Sequence, residues 1–204
     1  DNVNVNMTQD GSGNKAGSAA RPVYLRGIDQ KIVTRQVGAS NEIMLEAVND
    51  TTGSGKGVTI TIQQLGDSNK VDAACGYGNA SDGTTALTGC KAADLNWKFT
   101  GDSNELQFRG TGDDLKSAVT VTGNSNKFYI DAIGNKQSQT LMVTGDSNEF
   151  NINQRSTGAA GSSVWVDVTG NSNKFTVSQT GTIDNVLNLK SVGNSGVWNI
   201  NQKN

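Results

Sequence analysis

The stretch LMVTGDSNEFNINQ, residues 141–154, decides how the chain is read. Leu141 and Val143 alternate with their neighbours up to Gly145, and Asn148, Phe150, Ile152 and Gln154 alternate after it. Alternation with period 2 is the mark of a half-buried strand. Gly, Asx and Ser between two such runs mark a turn, because Gly accepts positive φ and Asx and Ser bond their own backbone. The stretch therefore reads as strand–turn–strand with one apolar face.

The turn recurs seven times, beginning at Gly38, Gly66, Gly101, Gly123, Gly145, Gly170 and Gly193. The gaps are 28, 35, 22, 22, 25 and 23 residues, so the period is near 22 with insertions. Every flank alternates: Ile60 and Ile62, Trp97 and Phe99, or Val119 and Val121 before the turn, and Phe128 and Ile130 or Phe175 and Val177 after it. A lone two-stranded hairpin is marginal in water. Stacked units bury one continuous core. The expected fold is all-β: a parallel β-solenoid of about seven and a half strand–turn–strand coils, roughly 36 Å long at about 4.8 Å per coil.

One domain is expected over residues 1–204, with a half-coil at 1–9 and seven coils over about 30–202. Val3, Val5, Met7 and Gln9 share the parity of a second strand, which makes the half-coil a second strand without its first. Insertions are expected at about 10–29, 49–57, 76–92, 110–116, 155–162 and 180–184, along one edge of the stack.

Composition agrees with a stack. Apolar residues make up 34% of the chain, below the usual ~45–50%. The net charge of −2 lacks the strong imbalance that accompanies disorder. Interspersed charges argue against a nucleic-acid footprint. Histidine is absent, which excludes His triads, His proton shuttles and His-ligated metals. No window approaches ~18 apolar residues, so no membrane-spanning helix is expected. The start at Asp1 reads as a processed N-terminus.

Two polar positions point inward. Asn41, Asn69, Asn104, Asn126, Asn148 and Asn173 fall three residues after the turn glycine. Gln36 and Gln64 fall two before it, and Gln154, Gln179 and Gln202 nine after it, with Gln9 in the half-coil. Identical amides stacked at strand spacing satisfy one another; amides that only close turns are the alternative. Four residues after the glycine, Glu42, Lys70, Glu105, Lys127, Glu149 and Lys174 alternate in sign, and Val197 ends the row. Like charges opposite each other destabilise paired strands, so alternation favours in-register stacking. Cys75 and Cys90, 15 residues apart, fit a disulfide from an oxidising compartment, with two free thiols as the alternative.

Catalytic and metal residues are not found, and no cofactor is expected. Asp113 and Asp114 read as a solvated loop pair. The Gly-Asp-Ser-Asn turns lack the six to eight oxygens of a Ca²⁺ site. Gly123-Asn-Ser-Asn-Lys127 lacks the ending of a phosphate loop. Thr59/Thr61 and Thr120/Thr122 hint at an ice-binding face, but Arg35, Gln63, Lys98, Thr120, Met142, Asp167 and Lys190 make that row irregular.

Gln36-Val-Gly38-Ala-Ser-Asn41 and Gln64-Leu-Gly66-Asp-Ser-Asn69 resemble the curlin repeat, with Ser for its second Gly. The curlin spacing from Asn to a second Gln recurs from Asn148 to Gln154 and from Asn173 to Gln179. Large residues at Phe128, Phe150, Phe175 and Trp198, the insertions and the cysteines depart from the family. The resemblance implies an extracellular, cell-surface structural subunit that assembles head-to-tail with identical subunits into curli-like amyloid-type fibres supporting adhesion or biofilm. A nucleator and an outer-membrane secretion channel are the further partners it implies. A surface anchor, adhesin or fibre nucleator with the same repeat is the second expectation.

Overall fold

The computed structural model describes the chain except residues 1, 12, 14, 19, 21, 28, 39, 41, 50–56, 67, 69, 77–89, 91, 102, 124, 146–147, 157–160, 171, 182–184, 194 and 204. Among these described residues, seventeen strands make two sheets. The first runs β1 (Asn2–Asp10), β4 (Asp29–Val37), β6 (Val58–Leu65), β8 (Asp94–Thr100), β10 (Lys116–Thr122), β12 (Ser138–Thr144), β14 (Ser163–Thr169) and β16 (Val186–Val192). The second starts with β2 (Lys15–Ala16) and β3 (Val23–Gly27), both paired with β5 (Glu42–Asn49). It continues through β7 (Lys70–Cys75), β9 (Glu105–Thr111), β11 (Lys127–Ile133), β13 (Glu149–Arg155), β15 (Lys174–Thr180) and β17 (Val197–Lys203).

From β3 onward consecutive strands enter opposite sheets, and neighbours within a sheet are parallel and in register, as Phe128↔Phe150↔Phe175↔Trp198 shows. The fold is thus an all-β parallel β-solenoid. Alternation sends one parity inward: β8, β10, β12 and β14 bury Leu95, Trp97, Phe99, Val119, Val121, Leu141, Val143, Val164, Val166 and Val168 against their counterparts across the core. Trp97 Nε1 donates to Ser117 Oγ at 3.1 Å, so the one polar atom of the largest core side chain is satisfied.

The N-terminal reading needs correction. Residues 1–9 are not a second strand: β1 lies in the first sheet, with Gln9 opposite Gln36. The segment 10–29 is not wholly an insertion, because it carries β2 and β3. The first rung therefore has both strands, the second of them interrupted, and the stack has eight rungs rather than seven and a half. Parity misleads here because both strands of a rung share an apolar period of 2; only the following Gly11, placed like Gly38, distinguishes them.

The turn glycines also stack. The Gly145 N–H donates to Thr169 O, and its φ is +151°. A Cβ on Gly145 would lie 1.7 Å from the carbonyl oxygen of Gly123, so only glycine fits. The opposite edge repeats the device. Gly112 and Gly134 donate to Ile133 O and Arg155 O, and three residues after them Leu115 and Gln137 are buried. Positive φ at Ala92, Asp114 and Lys136 recurs two residues before the strands β8, β10 and β12. The sequence reading missed this second turn, although Gly112, Gly134 and Gly181 each stand eleven residues after a turn glycine.

Candidate functional site: the ladders and the open rungs

Asn104 Nδ2 donates to Asn126 Oδ1 at 3.1 Å, Asn126 to Asn148 at 3.0 Å and Asn148 to Asn173 at 3.2 Å. All four are buried. The same oxygens accept the backbone N–H of Asn104 and Asn126, so the ladder also ties down the strand entry. Asn41 and Asn69 lie outside the described residues.

Glutamine makes two separate columns. In the first sheet Gln36 Nε2 donates to Gln9 Oε1, and Gln64 to Gln36 at 2.7 Å. In the second, Gln179 donates to Gln154 at 2.8 Å and Gln202 to Gln179 at 2.9 Å. The Nε2 groups also donate across the turns, Gln36 to Glu42 O at 3.3 Å and Gln179 to Val186 O at 3.4 Å. Gln36, Gln64, Gln154 and Gln179 thus both stack and close a turn. The Asn column donates toward the last rung and the Gln columns toward the first.

The charge row stands on the rim of the second sheet. Lys70 Nζ is 3.8 Å from Glu105, and Lys174 Nζ is 2.8 Å from Glu149. Lys127 sits in register between Glu105 and Glu149. Lys15, absent from the sequence reading, extends the row, with its Nζ 3.1 Å from Glu42. The signal for it was Asn14-Lys15 after Gly11-Ser-Gly, set aside with the wrong strand assignment. The hydrogen bond from Lys174, and then its charge, hold the Glu149 carboxyl below its ordinary range.

Two features were not foreseen. Behind the row, an apolar column grows along the stack: Ala16, Ile43, Val71, Leu106, Phe128, Phe150, Phe175, Trp198. Its last four rings stack with centroids 5.0, 4.6 and 4.4 Å apart. On the outer face of β5 and β7, Glu46 and Asp72 are buried, and Asp72 Oδ1 takes Arg109 Nη2 at 3.2 Å. Burial pushes the Asp72 carboxyl up despite the opposing pull of Arg109.

A disulfide joins Cys75 and Cys90, both fully buried, with Cα atoms 5.4 Å apart. Asp113 accepts the Asn135 N–H at 3.1 Å, and Asp114 lies 4.0 Å from Lys136, so this pair serves the second turn. No cluster of three or more His, Cys, Asp or Glu placed to hold a metal occurs among the described residues. Among the described residues no helix is long and apolar enough to cross a membrane.

The end rungs differ from the interior. Leu189 is 36% and Ile200 44% exposed, whereas Val166 and Val177, one rung inward, are 0% and 2% exposed. Leu187 and Trp198 are half-buried, as are Val3, Val5 and Met7 at the other end. Among the described residues, nothing stacks on these side chains of the last rung or on Val3, Val5 and Met7 of β1, whereas Ala16 and Leu25 of the first rung are buried. No family model, curated protein or solved structure matches the chain.

Proposed function

We propose that the protein is an extracellular structural subunit whose copies stack head-to-tail into curli-like fibres. One observation carries this reading: the apolar columns that are buried in the interior rungs stand open at the last rung, at Leu187, Leu189, Trp198 and Ile200, and along β1 of the first rung, at Val3, Val5 and Met7. An unpaired strand row is a template for another chain unless a helix, Pro or charge blunts it. Val186, Val192 and Val197 are exposed on the last rung, and no such cap covers β16 or β17 among the described residues. The resemblance to the curlin repeat supports the same reading, and with it a cell-surface fibre that would serve adhesion or biofilm. No enzymatic role is proposed.

The test is concentration-dependent growth of filaments from purified protein, seeded by preformed fibres, with a meridional repeat near 4.8 Å. Monomeric rods that persist under seeding overturn it. A surface anchor or nucleator is the second reading, favoured by the disulfide at Cys75–Cys90, which would hinder threading of the chain through a secretion channel. Seeds that accelerate growth of another fibre protein but not of this one would favour the anchor.

A further inference from the structure

We infer that copies join in a single register, with β16 of one copy on β1 of the next and β17 on its β2 and β3, so that Val197 lies over Lys15 and Trp198 over Ala16. The inference rests on the fibre reading and specifies the partner surface as the first rung of a second copy of this chain.

Three observations fix the register. Columns run through eight rungs without a slip, and in them Gly193 occupies the place of Gly11. Extending the columns by one rung sets Leu187 on Val5, Leu189 on Met7 and Ile200 on Val23, apolar on apolar, with Ser191 on Gln9 and Gln202 on Leu25 at the strand ends.

Charge is the second. Lys15 opens the rim row, Lys174 is its last charged member, and Val197 follows. In the inferred joint the neutral Val197 separates Lys174 from the Lys15 of the next copy. A joint without that spacer would bring two lysines together, and like charges opposite each other destabilise parallel pairing. A joint between two last rungs would break every column.

Size is the third. The growing column ends on Trp198, whose ring stacks on Phe175 at 4.4 Å and leaves its other face half-open. Ala16 is the smallest member of that column, so the largest side chain meets the smallest across the joint. The rim carries one opposing contact, Lys203 over Arg26, which is a charge repulsion that added salt screens.

The experiment has two arms. In the first, a chain carrying Val197→Cys and Lys15→Cys is assembled and then oxidised. Strand neighbours about 4.8 Å apart lie within reach of a disulfide. The expected result is a ladder of covalent multimers on a non-reducing gel, and none from Asn199→Cys with Lys15→Cys. In the second, Leu189→Lys and Val5→Lys each block one end. Each variant alone is expected to remain a folded monomer by circular dichroism and sedimentation, and their mixture to stop at dimers. Filaments that form but cross-link equally in both cysteine pairs, or a blocked variant that still polymerises alone, overturn the register and leave the fibre reading intact. A wild-type chain that forms no filaments overturns the fibre reading itself.

Discussion

Rungs one to three and rungs four to eight are built from the same repeat but held differently. In the later rungs, like stacks on like: four asparagines in one ladder, three glutamines in another, four aromatic rings in a third. In the earlier rungs one ladder of like residues remains, Gln9, Gln36 and Gln64, but the second-sheet column is Ala16, Ile43 and Val71, the first second-sheet strand is split into β2 and β3, and a disulfide closes the third rung. The later rungs draw stability mainly from repetition, whereas the earlier ones add local devices that repetition does not supply.

The sharpest way to break the comparison is at the turn column. Gly145→Val should prevent folding or remove more than about 4 kcal/mol, because the new side chain meets the Gly123 carbonyl in a left-handed backbone. Gly13→Ala, also at positive φ but with open space around its Cβ, should remove only about 1–2 kcal/mol. Urea unfolding midpoints measure both. Next is the apolar column: Phe150→Ala should lower stability by about 3–5 kcal/mol. Val71→Ala, in the same column of an early rung, should lower it by about 1.5–2 kcal/mol.

Replacing both cysteines by alanine should remove about 3 kcal/mol, the value for a loop of this length. Hydrogen exchange should then show amides of β7 losing protection before those of β11 and β13; uniform loss would mean that the stack unfolds as one unit. Asn126→Ala interrupts the ladder between Asn104 and Asn148 and should cost about 1–3 kcal/mol, since buried amide groups lose partners.

The smallest effect is in pH, and the two regions respond with opposite sign. Glu149 is depressed by Lys174, so its contribution is present above the ordinary carboxylate range and is lost as pH falls through its lowered pKa. Asp72 is raised by burial, so its contribution is full below the ordinary aspartate range and is lost as pH rises through the raised pKa. Carboxyl NMR titration should find Asp72 titrating above Glu149. The reverse order would remove burial as the dominant influence on Asp72.

The fold class was legible because the period-2 pattern and the turn glycines act at short range. The Asn and Gln positions could be read because an inward amide in a stack has its own copy as its nearest partner. Lys15 and the first rung were misread because strand parity does not say which sheet a strand joins. The second turn was hidden because its inward residue varies from Ala93 through Leu115 and Gln137 to Ser162. Buried Glu46 and the Asp72–Arg109 pair had no sequence signal, since these residues occupy the outward parity where charge is expected to be solvated.

The opposed direction of the amide ladders has an electrical consequence. In an α-helix every peptide dipole points the same way and the sum builds a field at each end. Here asparagine dipoles run one way along the axis and glutamine dipoles the other, while strand backbones largely cancel among themselves. A longer column therefore gathers little polarity, and electrostatics set no natural limit on its length.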